Sequence, residues 1–185
     1  MNQEINKALE VLKNGGIILY PTDTVWGIGC DASNEEAVKK IYQLKKRVDS
    51  KALICLVADD RMLKKFVKTV PQVALEIIEI TDTPTTIIYD DAQNLASNLI
   101  GEDGTIAIRI PDDEFCYQLS RRLNGAIVST SANVSGLPTP NSFKEIQEEV
   151  LKGVDYVVNL HHEKICTKQS SIIKLSNNGV VKIIR

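Results

Sequence analysis

The stretch Gly16-Ile17-Ile18-Leu19-Tyr20-Pro21-Thr22-Asp23-Thr24-Val25-Trp26-Gly27-Ile28-Gly29-Cys30-Asp31-Ala32-Ser33-Asn34-Glu35-Glu36 decides how the fold is read. Gly16 to Tyr20 is a short apolar run stopped by Pro21, the pattern of a buried strand. Ser33-Asn34-Glu35-Glu36 has the S-x-x-E form of a capping box and opens a helix through Ala37, Ile41 and Leu44 to about Lys45. Between them, Gly27 to Ala32 spells G-x-G-x-x-A. A dinucleotide fingerprint needs those glycines to open the helix. Here the cap comes later, at Ser33, and the acidic partner at the end of the next strand is missing. The dinucleotide reading is therefore rejected, and no P-loop occurs.

Outward from that stretch, helical and strand signals interleave. Ile5, Ala8, Leu9 and Leu12 share one helical face, which Asn14-Gly15-Gly16 stops. Strands are predicted at 52–57, 85–89, 105–110, 126–129, 154–158, 171–175 and 180–184. Short helices fit near 60–68 and 71–80. Pro111-Asp112 starts a helix carrying Phe115, Leu119 and Leu123, closed by Asn124-Gly125. Ser142-Phe143-Lys144-Glu145 is a second capping box, opening a helix to about Leu151. Such interleaving defines an α/β (or α+β) sheet layered with helices, mixed because several strands lack an intervening helix. No repeat or linker divides the chain, so residues 1–185 read as a single domain.

Composition narrows the function. The net charge is −2 over 185 residues, with 43% hydrophobic and 25% charged residues. A chain that coats nucleic acid or an anionic membrane runs strongly basic. Any anionic ligand must here be met by a local cluster. No stretch approaches the ~20 apolar residues of a membrane helix. Glu4 and Glu10 deny Met1 to Lys13 the apolar core of a signal peptide. Cys30, Cys55, Cys116 and Cys166 form no C-x-x-C and read as free thiols of a reducing cytoplasm.

Three segments carry the chemistry, and ligands gather beyond strand ends in open α/β sheets. In Tyr20 to Gly29, two threonine hydroxyls and a carboxylate follow a strand; taken alone this is a Pro-initiated turn. Lys45-Lys46-Arg47-Val48-Asp49-Ser50-Lys51 packs four cations into one short run. That is either a solvated helix end favoured by the dipole or a polyphosphate site. Ser129-Thr130-Ser131-Ala132-Asn133-Val134-Ser135-Gly136 suits a loop that cradles phosphate through amides and hydroxyls. The run Arg61, Lys64, Lys65, Lys68 is solvated surface. His161 and His162 read as exposed, and no nucleophile elbow, H-E-x-x-H or Cys/His pair occurs. An anion pocket without a nucleophile suits nucleotidyl or phosphoryl transfer, where positioning and charge stabilisation dominate.

Taken together these segments resemble the YrdC-like threonylcarbamoyl-AMP synthases, in their short, single-domain bacterial form. The markers are Pro21-Thr22-Asp23-Thr24-Val25-Trp26-Gly27, Lys45-x-Arg47, Ile106-Ala107-Ile108-Arg109-Ile110-Pro111, Ser129-Thr130-Ser131-Ala132-Asn133-x-Ser135-Gly136, Ser170-Ser171-Ile172-Ile173 and Ile183-Ile184-Arg185. The resemblance implies a twisted, mixed open sheet with helices around a concave electropositive cavity. It implies that L-threonine, bicarbonate and ATP give threonylcarbamoyl-AMP and pyrophosphate. Partner proteins then carry the threonylcarbamoyl group to tRNA in the cytoplasm. By the same resemblance Lys45 and Arg47 are the catalytic pair facing the triphosphate. Lys51, Thr105, Ser131, Asn133, Thr139 and Arg185 join them as ATP contacts, while Thr24, Arg109, Ser129 and Ser170 hold threonine. Mg²⁺ rides on the triphosphate, and no residue is assigned as a metal ligand.

The chain departs from the family pattern at Val48 and Ala52, where proline is common, and at Leu56, where longer members carry histidine. The W-P-G-P segment is replaced by Thr81-Asp82-Thr83-Pro84. Two other functions are compatible with such a fold. A non-catalytic RNA-binding or ribosome-maturation module of the same fold is disfavoured by 5% aromatic residues and the net charge. A carbamoyl-transfer domain of the hydrogenase-maturation type is joined to zinc-binding segments, and no C-x-x-C is present.

Overall fold

Apolar residues at alternating positions build, among the described residues, a nine-stranded sheet in this computed structural model, with order β7-β1-β2-β6-β3-β5-β4-β8-β9. The structure describes residues 1–46, 53–166 and 168–185. The strands are β1 (Ile18–Tyr20), β2 (Gly27–Gly29), β3 (Ile54–Leu56), β4 (Thr85–Tyr89), β5 (Ile106–Arg109), β6 (Ile127–Ser131), β7 (Tyr156–Val157), β8 (Ser171–Leu175) and β9 (Val181–Ile183). The helices are α1 (Asn2–Lys13), α2 (Glu35–Leu44), α3 (Asp60–Phe66), α4 (Gln72–Ile80), α5 (Glu114–Leu123) and α6 (Glu148–Gly153). β1–β7, β3–β5 and β4–β8 pair parallel. The other neighbours are antiparallel, so the sheet is mixed, as expected.

The period of two divides β1, β3 and β6 between two cores. Ile17 and Leu19, Cys55 and Val57, and Val128 pack with Val38 and Ile41 of α2 and Leu63 of α3. Ile18, Tyr20, Leu56 and Ile127 pack on the opposite side with Ile5, Ala8 and Leu12 of α1 and Phe115 and Leu119 of α5. Each buried Val, Leu, Ile or Phe side chain among them contributes about 1.5–3 kcal/mol.

Local signals explain most boundaries. Asp113 caps α5 by accepting from the Cys116 N–H at 2.9 Å, and Asn124 ends it at φ 55°. Three expectations change. α2 is capped by Asn34, which accepts from the Ala37 N–H at 3.0 Å. Ser33 instead donates to Asp31 Oδ1 at 2.7 Å. The helix expected from Ser142 to Leu151 is broken: Phe143–Glu145 is a 3-10 turn and α6 begins only at Glu148. Glu145 spends its carboxylate on the Asn141 N–H at 2.9 Å, which closes a turn rather than a long helix.

The third change is β2, an unforeseen strand formed by the glycines of the decoy fingerprint. A Cβ on Gly29 would overlap the Val128 carbonyl oxygen and the Tyr20 ring. Glycine is needed there for close approach between strands, not for a phosphate turn.

Candidate active site

α1 and α5 cover only part of their side of the sheet. Further along, the face opens into a cavity of about 250 Å³. Ser129 and Ser131 of β6, Ile54 of β3, Ala107 and Arg109 of β5, Ile88 of β4 and Ile172 of β8 line it. Register explains this convergence. Ser129, Ile54, Ala107 and Ile88 stand opposite one another across four strands. Thr24, Gln169, Ser170 and Arg185 close the walls. Among the described residues, the charged lining groups are Arg109 and Arg185, both cations, with Arg109 paired to Asp23.

Arg109 anchors one end and is 4% exposed. Its Nη1 donates to Asp23 Oδ1, and its Nη2 donates to Thr24 Oγ1 at 3.2 Å. The other Asp23 oxygen accepts from the Asp112 N–H at 3.2 Å. The Arg109 Nε–H is buried without a partner among the described residues. An unpartnered donor on a desolvated cation is costly unless an anion or acceptor meets it.

Thr24, Ser129 and Ser170 stand in the same cavity, so all four residues expected to hold threonine are brought together. The Ser170 hydroxyl pairs with Thr86 Oγ1 at 2.8 Å. Its carbonyl accepts from Arg185 Nε at 3.2 Å and Nη2 at 2.9 Å. Arg185 Nη1 donates to Gln169 Oε1 at 2.5 Å, and Gln169 Nε2 donates to Thr139 Oγ1 at 3.2 Å. Thr139 therefore sits one side chain behind the rim.

Lys45, Ser131 and Asn133 form a second cluster although their positions are far apart in sequence. Lys45 is 2% exposed. Its ammonium donates to the carbonyls of Ser131 and Asn133, both at 2.6 Å. Ser131 Oγ donates to Asn133 Oδ1 at 2.5 Å, and Asn133 Nδ2 donates to Leu137 O at 2.6 Å. Lys45 thus braces the hydroxyl-rich loop from behind the cavity wall through charge-assisted bonds.

Thr105 lies one alternation beyond Ala107, outside the cavity lining, and donates to Asp103 Oδ1 at 2.6 Å. With Lys174 also bonded, Asp103 is held at about 2, below the usual carboxylate range, chiefly by the Thr105 hydroxyl. Arg47, Lys51, Val48 and Ala52 lie outside the described residues. Leu56 is buried among Tyr20, Phe115 and Ile127 rather than in the cavity.

One histidine departs from the reading as exposed. His162 is half-buried, stacked on Phe143 at 3.9 Å between ring centroids and edge-on to Trp26 at 5.5 Å. His161 is exposed, as expected. All four cysteines are free and buried; burial pushes Cys55 up to about 12 and the others upward as well.

Sequence reasoning assigned no role to Asp23, Thr22, Gln169 or Lys164, whose ammonium donates to Thr22 O at 3.0 Å. Asp23 carried the one available signal, a carboxylate between two threonines after a strand. Gln169 and Lys164 had none, because their partners are remote in sequence.

Residues 10–185 match the Sua5/YciO/YrdC family model, described as telomere recombination. A Methanocaldococcus jannaschii protein proposed to be a threonylcarbamoyl-AMP synthase is 37% identical over 186 residues, covering 98% of this chain and 86% of its own. The Acinetobacter baumannii threonylcarbamoyl-AMP synthase is 34% identical over 148 residues, 76% of this chain and 78% of its own. The crystal structure of P. abyssi Sua5 complexed with L-threonine superposes with TM-score 0.85 at 26% identity, over 95% of this chain and 52% of that one. This chain thus spans about half the length of that Sua5. It belongs to the Sua5/YciO/YrdC family.

Proposed function

We infer that this chain is a threonylcarbamoyl-AMP synthase: it joins L-threonine, bicarbonate and the adenylyl group of ATP, and releases pyrophosphate. The observation that carries the reading is the buried Arg109, its Nε–H unpartnered among the described residues, beside Thr24 in a cavity that also holds Ser129 and Ser170. A cation and hydroxyls in a space of about 250 Å³ suit one small amino acid next to a phosphate group.

In this reading the amino-acid carboxylate meets Arg109, and Thr24, Ser129 and Ser170 hold its polar groups. The neutral amine attacks the bicarbonate carbon, a C–N bond forms, a C–O bond breaks and water leaves, giving a carbamate. A carbamate oxygen attacks the α-phosphorus, the bond to the β-phosphate oxygen breaks, and pyrophosphate leaves. Arg47 is the catalytic cation, and Lys45, paired with it in the motif, acts through the carbonyls of Ser131 and Asn133. Lys51, Thr105, Ser131, Asn133, Thr139 and Arg185 complete the ATP contacts, Lys45 and Asn133 by holding the Ser131 loop in place. Positioning and charge stabilisation supply the rate.

Mg²⁺ neutralises the triphosphate when bound. No cluster of three metal-ligating side chains exists among the described residues, and no carboxylate lines the cavity there. The ion would therefore be held by phosphate oxygens and water, which suits Mg²⁺. The product passes to tRNA threonylcarbamoyl-transfer proteins in the cytoplasm, so contact with tRNA is indirect. No helix among the described residues is long and apolar enough to cross a membrane.

The test is product analysis with ¹³C-bicarbonate. Mass spectrometry is expected to find threonylcarbamoyl-AMP heavier by one label; adenylate without the label would refute the reading.

A further inference from the structure

We propose that Thr22 is a positioning residue that fixes the polarity of the Thr24 hydroxyl, so that Thr24 faces the amino acid only as an acceptor. The inference rests on the synthase reading and deepens it.

The argument is a proton count. The Thr22 hydroxyl lies 2.7 Å from the Val25 carbonyl, which can only accept, so the single Thr22 proton is committed there. The Thr24 N–H, 3.1 Å from Thr22 Oγ1, can only donate to it. The remaining contact is between the two hydroxyl oxygens, at 3.0 Å. Because the Thr22 proton is spent, Thr24 must donate across it. Thr24 Oγ1 then has two lone pairs and no proton to offer. One lone pair accepts from Arg109 Nη2 at 3.2 Å. The other is left for the cavity that Thr24 lines.

Thr22 itself is 1% exposed and lines no part of that cavity, so it acts through Thr24. The result is a complementary pair at one end of the site. Arg109 presents a donor on a cation, and Thr24 presents a pure acceptor. The occupant must bring an anionic group to the first and an N–H or O–H donor to the second. An L-amino acid or its carbamate meets both demands. A ligand offering only acceptors would leave the buried Thr24 lone pair unmet, a mismatch that sites built on buried polar groups reject strongly.

The experiment is steady-state pyrophosphate release by wild type, Thr22→Val and Thr22→Ser, with KM for L-threonine and ATP measured separately. Thr22→Val keeps the shape but removes the acceptor. It is expected to raise the KM for threonine about 10-fold, the scale of one hydrogen bond, with kcat and the KM for ATP little changed. Thr22→Ser keeps the hydroxyl and returns the threonine KM toward the wild-type value. Parallel rises in both KM values, or no recovery with serine, would mean a general packing role and overturn the proposal. An unchanged Thr22→Val variant would overturn it while leaving the synthase reading intact. A wild type with no threonine-dependent turnover removes the synthase reading first. If Thr22→Val does not fold, NMR of the wild type decides. A protected Thr24 hydroxyl proton with a nuclear Overhauser contact to Thr22 supports the proposal, and one that exchanges freely overturns it.

Discussion

The covered and open parts of one sheet face differ within single strands. On β6, Ile127 is sealed under α1 and α5, while Ser129 and Ser131, on the same face, line the cavity. On β3, Leu56 is sealed and Ile54 lines the cavity. The alternation that builds the core therefore also builds the site, and only the helical cover stops. Where it stops, hydroxyls and two arginines, Arg109 and Arg185, join the aliphatic side chains. A buried face needs volume filled, whereas an open one needs polar groups that a ligand can satisfy.

That contrast predicts opposite outcomes for neighbouring substitutions. On the open part, Arg109→Ala removes the preorganised cation and is expected to lower kcat/KM per folded molecule about 10²–10³-fold, with some loss of stability because the buried Asp23 carboxylate is left without its partner. Pyrophosphate release and thermal melting check both halves of that statement. On the covered part, Ile127→Ala is expected to cost about 2–5 kcal/mol in urea unfolding, with turnover per folded molecule preserved. If the two effects exchanged places, the division of the face would be wrong.

Asp23 joins the two parts, because it holds Arg109 and the Asp112 amide at the mouth of α5. Asp23→Asn keeps the shape and weakens a charge-assisted bond, so threonine binding should lose about 1.5–3 kcal/mol by calorimetry. Equal binding in wild type and variant would mean that Arg109 is positioned without it.

The smallest effect is a pH dependence on the covered part. Glu4 accepts from the Tyr156 hydroxyl at 2.5 Å and the Asn159 N–H at 2.7 Å. The Tyr156 bond, more than any other contact, lowers the Glu4 carboxyl below its ordinary value, against the opposing pull of burial. A depressed folded pKa gives stability that is present above the ordinary carboxylate range and is lost as pH falls through the folded value. Urea midpoints of wild type and Glu4→Gln should therefore differ at neutral pH and converge in acid. A constant gap would exclude the carboxylate as the cause.

Much of this was legible in the chain. β4 and β8 fall at the predicted limits, Thr85 to Tyr89 as an unbroken β-forming run and Ser171 to Leu175 around Ile172 and Ile173. The motif residues Thr24, Arg109, Ser129 and Ser170 also meet in one cavity. What stayed hidden depended on partners distant in sequence. β2 has too few side chains to show a strand pattern, and its glycines make sense only beside Tyr20 and Val128. Ser33 fits the capping formula, but Asp31 captures its hydroxyl and Asn34 takes the role. Lys45 reads as one cation in a charged run, yet its ammonium is buried against carbonyls more than eighty residues away. Such pairings are tertiary, and periodicity carries no record of them.

The most direct test of the central claim is pyrophosphate release by the purified chain with ATP, L-threonine and bicarbonate, each omitted in turn. The account predicts that release requires all three together. Release that continues without threonine would contradict it.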